Sequence, residues 1–316
     1  MSNNEKKILL KVKSRVKETN DVVSLEFVSA DGEALPSWQA GAHIDLIFDD
    51  QCVRQYSLCG PLDDNSVWRI GVLLAPNSRG GSQRVHELRE GDTVLSQGPR
   101  NHFELVSAQQ YLFIAGGIGI TPILAMVDQA EKSGADWKLV YGGRDRASMA
   151  YLGEIEKYTD KVFLEPQAEV GHINLAGWIG GVDDSTYVYC CGPEPLLHAV
   201  EEHCKARHIN KLVIERFAAR AQAEPVMNET FEVILQQSGL TLQVKPGQTI
   251  LHVVEAAGVY VTASCCEGVC GSCETMVIRG IPEHRDSVLT DDEKSANDRM
   301  LICVSRAMSS ELVLDL

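Results

Sequence analysis

The stretch Ser264-Cys265-Cys266-Glu267-Gly268-Val269-Cys270-Gly271-Ser272-Cys273 places four cysteines within ten residues. Clustered thiols form disulfides, hold a metal or attack a substrate, and the cellular compartment bears on the first of these. The opening run MSNNEKKILLKVKSRVKETN lacks the apolar core and small-residue cleavage site of a signal peptide. No apolar run approaches the roughly 18 residues of a membrane span. The expected location is therefore cytoplasmic, with no membrane partner. There thiols stay reduced, and clustered cysteines more often bind metal than pair with each other.

Working outward, Cys265, Cys270, Cys273 and Cys303 follow the spacing C-x4-C-x2-C-x29-C. Plant-type 2Fe–2S clusters use this spacing, with three thiolates from a tight loop and a fourth from a distant cysteine. The chemistry demands such a loop. Three sulfurs must converge on two irons while backbone N–H groups turn inward toward the sulfides. Gly268 and Gly271 permit the backbone angles and the close approach. Structural zinc is the rival reading, but zinc sites usually combine two C-x2-C pairs, and Cys303 in LICVSR has no second cysteine beside it. No C-x-H accompanies a C-x2-H, which excludes a Rieske centre in this chain. Cys266 falls outside the spacing and is expected to be a spectator.

The whole chain has 316 residues, 44% hydrophobic and 23% charged, which suits two or three soluble domains. A net charge of −15 argues against nucleic acid as a partner. Acidity of this kind serves solubility by default, or steers a basic protein partner.

The first hundred residues read as short strands between Gly, Pro and Asp turns, the pattern of an antiparallel β-barrel. A helix is expected from Gly80-Gly81-Ser82 through Val85 and Leu88. From Tyr111 strands and helices alternate, implying a parallel sheet covered by helices on both faces. The expected helices are TPILAMVDQAEKSG, with Thr121 as N-cap and Gly134 beyond its end, then Met149 to Tyr158 and Pro195 to Arg207. Ala218 to Pro225 reads as a linker, and beyond it lies a small α+β unit in which Thr249 caps a helix. The expected domains are 1–105, 106–224 and 225–316, with the last a β-grasp ferredoxin unit.

Two Gly-rich turns follow strands. Ala115-Gly116-Gly117-Ile118-Gly119-Ile120-Thr121-Pro122 leads into a helix N-terminus, which suits an anion. It is not the G-x-G-x-x-G fingerprint, and many such turns need glycine only for packing. Cys190-Cys191-Gly192-Pro193 forms the second. Turns at the C-terminal ends of parallel strands bound the crevice where α/β sheets bind ligands.

Arg54-Gln55-Tyr56-Ser57, GGIGITP and YCCGP, in that order, resemble the motifs of the ferredoxin–NADP reductase superfamily. A C-terminal ferredoxin narrows the resemblance to reductases similar to phthalate dioxygenase reductase, with vanillate demethylase and carnitine monooxygenase reductases among them. Glu215-Arg216-Phe217, His284-Arg285-Asp286 and VSRAMSSELVLDL extend it over nearly the whole chain.

The resemblance implies roles. Arg54, Tyr56 and Ser57 would line a flavin, with Ser57 near its reactive N5. Val72, Leu73 and Leu74 would run along it, Arg79, Gly80, Gly81 and Ser82 would hold its phosphate, and Phe217 would lie near its ring. Gly116, Gly117, Gly119 and Thr121 would face a nicotinamide cofactor. Cys191, Gly192 and Pro193 would sit beside the nicotinamide ring, while Cys190 is a core residue. Arg144 and Asp145 would approach the adenosine, where an acid favours NADH by repelling a 2′-phosphate. Relatives with this domain order use FMN, although FAD members share R-x-Y-S. Ser57 and Cys191 are the expected catalytic positions. Glu215 would either interact with the nicotinamide or only end a strand, and the His284-Arg285-Asp286 run, given no chemistry, would stabilise the ferredoxin turn. The implied activity takes hydride from NADH to flavin and passes single electrons through the cluster to a terminal Rieske non-haem iron oxygenase. The alternative is a standalone diaphorase without an oxygenase.

Overall fold

The computed structural model describes residues 7–49, 52–76, 80–219 and 229–316. Alternation of apolar and polar residues shapes the first strands, each burying one face. β1 (Ile8–Lys17), β2 (Val22–Ser29), β3 (His43–Asp49), β4 (Cys52–Ser57), β5 (Trp68–Leu73) and β6 (Thr93–Arg100) form an antiparallel sheet in the order β4-β3-β6-β1-β2-β5. A bridge between Leu58 and Ile70 joins its two ends, so the sheet closes into a barrel. Leu10, Val12, Leu25, Phe27, Ile44, Leu46 and Trp68 fill it. The helix α1 (Gly81–Glu87) lies between β5 and β6.

The parallel sheet comprises β7 (Gln110–Gly116), β8 (Asp136–Gly143), β9 (Val162–Pro166), β10 (Tyr187–Cys191) and β11 (Leu212–Glu215), ordered β11-β10-β7-β8-β9. Its helices are α2 (Ile120–Ser133), α3 (Leu152–Ile155), α4 (Gln167–Val170), α5 (Leu175–Gly180) and α6 (Glu194–Ala206). From Tyr111 onward β7 is apolar because both of its faces are covered. Tyr111, Phe113 and Ala115 join the cluster that also fills the barrel, whereas Leu112 and Ile114 pack with residues of α5 and α6. The same two-residue period separates Cys191, on the barrel side, from Cys190, which is core on the other. By contacts the chain divides into two compact units, Met1–Glu215 and Arg216–Leu316. Barrel and parallel sheet therefore share the first unit.

Two local expectations need correction, and one helix is an addition. Thr121 is not an N-cap: the glycine turn coils into a 3-10 segment, Gly117–Gly119, so α2 begins at Ile120 and the Thr121 hydroxyl donates back to the Ile118 carbonyl at 3.0 Å. Pro122 is tolerated there because first-turn N–H groups have no helical acceptor. Gly134 does end the helix, with φ 73. The helix expected over Met149–Tyr158 starts only at Leu152, because Tyr151 adopts φ 61 with its ring buried, and after Ile155 it passes into a 3-10 turn, Glu156–Tyr158. The six-residue helix α5 was not anticipated: it is too short for an apolar period, and Gly177 and Gly180 lie within it. Arg79, and the linker from residue 220 to 225, lie outside the described residues.

The second unit contains β12 (Phe231–Leu235), β13 (Leu240–Val244), α7 (Ile250–Ala256), β14 (Glu274–Arg279), β15 (Pro282–Glu283), α8 (Asp291–Ala296), β16 (Arg299–Leu301), β17 (Arg306–Ala307) and β18 (Glu311–Leu314). Its main sheet runs β13-β12-β18-β14-β16, with β12 and β18 parallel, a β-grasp order. Thr249 caps α7, its hydroxyl accepting from His252 N–H at 3.1 Å. Arg306 is nearly buried, donates to the carbonyls of Gln248 (2.6 Å) and Glu229 (2.9 Å), and stacks 5.0 Å from the Phe231 ring centroid. Arg306→Ala leaves those carbonyls without a donor and should destabilise this unit by about 3 kcal/mol. Calorimetry should show its transition falling while that of the first unit stays in place.

Candidate functional sites

In the first unit the turns after β7 and β10 meet. A Cβ added at Gly119 would lie 2.2 Å from the Cys191 carbonyl oxygen, and one at Gly116 would lie 2.8 Å from Pro193 Cδ. Packing alone thus requires glycine at both positions, while Gly117 needs it for φ 54. The Thr121 side chain is buried, its hydroxyl turned to Ile118 and its methyl toward β5. Gly192 packs on Gly116, and Pro193 is the N-cap of α6.

At the same crevice stands Glu215, for which the sequence leaves open a nicotinamide contact or a mere strand end. Glu215, the last residue of β11, has its Oε2 3.5 Å from Ser57 Oγ, which donates to it, and 4.0 Å from Cys191 Sγ. Glu215 keeps a partly accessible edge but is otherwise enclosed, and that burial pushes its carboxyl up to about 8 from an ordinary 4.5. Burial also holds the Cys191 thiol well above its usual range, reinforced by the Glu215 charge, so Cys191 is a neutral thiol and not a nucleophile. Glu215 and Cys191 are neighbours across the β10–β11 pair, but Ser57 lies 158 residues from Glu215, too distant for any spacing rule.

On the barrel, Arg54 and the start of α1 converge, since a Cβ at Gly81 would sit 2.3 Å from Arg54 Cγ. Gly80 is left-handed at φ 91, and Ser82 Oγ accepts from Ala75 N–H at 3.2 Å. Burial raises the Tyr56 phenol, which is therefore neutral. Val72 is buried, Leu73 is half exposed, and Leu74 lies one residue beyond β5. These residues fit a flavin in kind: a cation beside a small-residue turn for a phosphate, and a neutral aromatic ring for a planar ring system. Beyond the end of β8, Arg144 is exposed, and Asp145 caps the turn Arg146–Ser148 by accepting from Ser148 N–H at 2.9 Å. Next to it is a cavity of about 580 Å³ lined by Arg146, Phe163, Glu165, His172, Asn174 and Trp178 among others. Sequence reading missed it because its walls come from three separate segments.

In the second unit the thiols converge. Cys265 is within hydrogen-bonding reach of both Cys270 and Cys303, and Cys303 of Cys273. Cys270, Cys273 and Cys303 are buried. Backbone N–H groups point at the sulfurs: Glu267 N–H donates to Cys265 Sγ at 3.3 Å, and Gly268 N–H to Cys303. Cys266 instead is exposed at φ 53 and is bonded to none of these thiols. Gly268 has φ 69, and a Cβ there would strike Val304 Cγ2 at 2.6 Å. Asp286 orders the turn that bonds to the loop. Its Oδ1 accepts from Val288 and Leu289 N–H at 3.0 and 2.8 Å, and Ser287 N–H donates to the Gly268 carbonyl at 2.8 Å. Buried thiols ringed by inward N–H groups suit an iron–sulfur cluster. Phe217, also in this unit, is 44% exposed.

Residues 233–308 match the model of the 2Fe-2S iron-sulfur cluster binding domain, and residues 113–163 that of the oxidoreductase NAD-binding domain. The chain is 41% identical over 304 residues to the vanillate O-demethylase oxidoreductase of Pseudomonas sp. strain HR199, covering 94% of this chain and 96% of that protein. The solved structure of phthalate dioxygenase reductase, described as modular for electron transfer from pyridine nucleotides to 2Fe-2S, matches with TM-score 0.71 and 34% identity over 98% of both chains. The chain belongs to the phthalate dioxygenase reductase family. As a member of that family it is an oxidoreductase with an NAD-binding domain and a 2Fe–2S domain. An intact type IV self-sufficient cytochrome P450 monooxygenase matches with TM-score 0.91 and 38% identity, although this reductase-family chain spans only 41% of that longer protein. No helix among the described residues is long and apolar enough to cross a membrane.

Glu215→Gln gives a direct test of the buried carboxyl. Between pH 4.5 and about 8 the unfolded Glu215 is ionised while the folded one stays protonated, so folding stability is lost as pH rises through that window. The stability of the wild type relative to Glu215→Gln should therefore fall from pH 4.5 to about 8 and level off above, read by urea unfolding of the first unit.

Proposed function

We propose that this chain takes hydride from NADH onto a bound flavin and passes the electrons singly, through a 2Fe–2S cluster on Cys265, Cys270, Cys273 and Cys303, to a terminal Rieske-type oxygenase. The convergence of those four thiols, in a chain that also carries an NAD-binding domain, carries the reading. The vanillate O-demethylase oxidoreductase, so named, supports the class of partner. The flavin is proposed as FMN, following the resemblance, and the location as cytoplasmic. Flavin and cluster together supply the conversion of a two-electron donor into one-electron deliveries.

The chain's own residues do the rest. Arg54 with Gly80 and Gly81 holds the flavin phosphate, and Tyr56 offers its ring. The turns Gly116–Gly119 and Cys191–Pro193 bound the slot for the nicotinamide, with Cys191 a small uncharged wall. Asp145 and Glu165 place carboxylates at the adenosine end, where they disfavour a 2′-phosphate and so favour NADH. Each NADH oxidised yields two electrons and one proton. Ser57 Oγ and Glu215 Oε2 provide the path for that proton, and a carboxyl poised near 8 both takes and releases it at neutral pH.

Anaerobic titration with NADH, followed by visible spectra, tests the reading alongside metal analysis. One flavin, two irons and two labile sulfides per chain are expected. One zinc without sulfide would overturn the cluster. Cys266→Ser should keep the cluster spectrum and both irons. Cys270→Ser should lose them while the flavin still accepts hydride, because the nucleotide turns belong to the other unit.

Residues 226–316 hold thirteen Asp and Glu against six Lys and Arg, a net of minus seven. Docking to a basic acceptor should be steered by this charge, which salt screens within about 8 Å at physiological ionic strength. NADH-driven reduction of cytochrome c should slow as salt rises, and reduction of anionic ferricyanide should not. Equal slowing of both would reduce the acidity to a matter of solubility.

A further inference from the structure

We propose that Tyr151 is a positioning residue for hydride transfer, pinning the nucleotide-binding sheet against barrel strand β5 at Gly71 and so setting the spacing across the crevice. The proposal rests on the NADH-to-flavin reading above. Tyr151 sits at φ 61 and ψ 19, a conformation unfavourable to a bulky residue, and such strain persists only where the surroundings over-determine it. Those surroundings are specific. The Tyr151 ring is 3% exposed, and its hydroxyl lies 2.8 Å from Ser24 Oγ on β2. Ser24 directs its own proton to Glu18 Oε1 at 2.6 Å, so Tyr151 is the donor in this pair. Burial holds the phenol well above its ordinary range, which keeps that donor present through neutral and alkaline pH. Cys59 Sγ is 3.7 Å from the same hydroxyl. Arg69 stacks over the ring at 5.3 Å from its centroid and grips Glu154 of α3 at 2.6 and 2.8 Å.

Ser24, Cys59 and Arg69 belong to the barrel side, Tyr151 and Glu154 to the nucleotide-binding side. They meet at Gly71. A Cβ there would stand 2.1 Å from the Tyr151 hydroxyl and 2.9 Å from Thr121 Cγ2. Thr121 is in the first turn of α2, directly after the Gly116–Gly119 turn, and Val72 is the next residue on β5. One contact point therefore joins the nucleotide turn, Tyr151 and the strand assigned to the flavin. The segment leading to Tyr151 from β8 is itself held: Asp145 and Ser148 form a capping box, and Met149 Cγ packs within 2.4 Å of where a Gly143 Cβ would be. A strained, multiply tethered residue at a glycine suits a part whose job is to fix a distance.

The test compares wild type, Tyr151→Phe and Gly71→Ala. Anaerobic stopped-flow measures the limiting rate of flavin reduction at saturating NADH, with 4-deuterated NADH to confirm that hydride transfer is observed. Flavin content, NAD⁺ affinity and melting temperature are measured beside it. Tyr151→Phe keeps the ring and should lower the limiting rate by about tenfold or more, since misplacement on the order of 1 Å costs up to about a hundredfold. Flavin content and NAD⁺ affinity should stay unchanged. Gly71→Ala should do the same, and if it fails to fold, Tyr151→Phe alone decides. A lowered melting temperature with a wild-type limiting rate would make Tyr151 merely structural and overturn the proposal. If wild type itself shows no flavin reduction by NADH, the underlying reading fails, and this inference with it.

Discussion

A carboxyl group enclosed where three strands end organises the first unit. Glu215 faces Ser57 from the barrel and Cys191 from the neighbouring parallel strand. That meeting requires β11 beside β10, β10 beside β7, and the β7 turn close enough to the β10 turn that Gly119 has no room for a side chain. Burying a carboxyl is unfavourable when it is charged, so the fold retains the proton instead. A group neutral at physiological pH yet close to ionisation is what a proton-handling position needs.

The second unit solves a different problem, that of holding several polarisable sulfurs close together inside protein. It uses left-handed backbone at Cys266 and Gly268 to turn N–H groups inward, and it anchors the loop through Ser287 N–H, in a turn that Asp286 orders. The His284-Arg285-Asp286 run thereby acquires a structural role. Asp286 accepts from the backbone of the turn that holds the loop, and Arg285 pairs with Glu283 at 2.8 Å.

How much of this was legible in the sequence depends on how far apart the partners lie. The cysteine spacing, the Thr249 cap and the Gly134 stop are local, and local chemistry decided them. The continuous apolar run of β7 is equally local, and it fits a strand covered on both faces. Thr121 misled because serine and threonine also bond backward to the preceding turn, which a cap rule does not distinguish. The helix expected through Tyr151 failed because that ring's partners, Ser24 and Cys59, lie 127 and 92 residues away. Glu215 stayed undecided between a nicotinamide contact and a strand end for the same reason, since Ser57 is a tertiary neighbour.

Among the described residues the second unit has a core of its own, running from Phe231 to Leu314. A unit that is complete in this sense is portable. Its reading frame can be cut and rejoined elsewhere in a gene without unmaking the cluster pocket, so evolution can fit the same electron-carrying cassette to new chains by recombination rather than by gradual redesign.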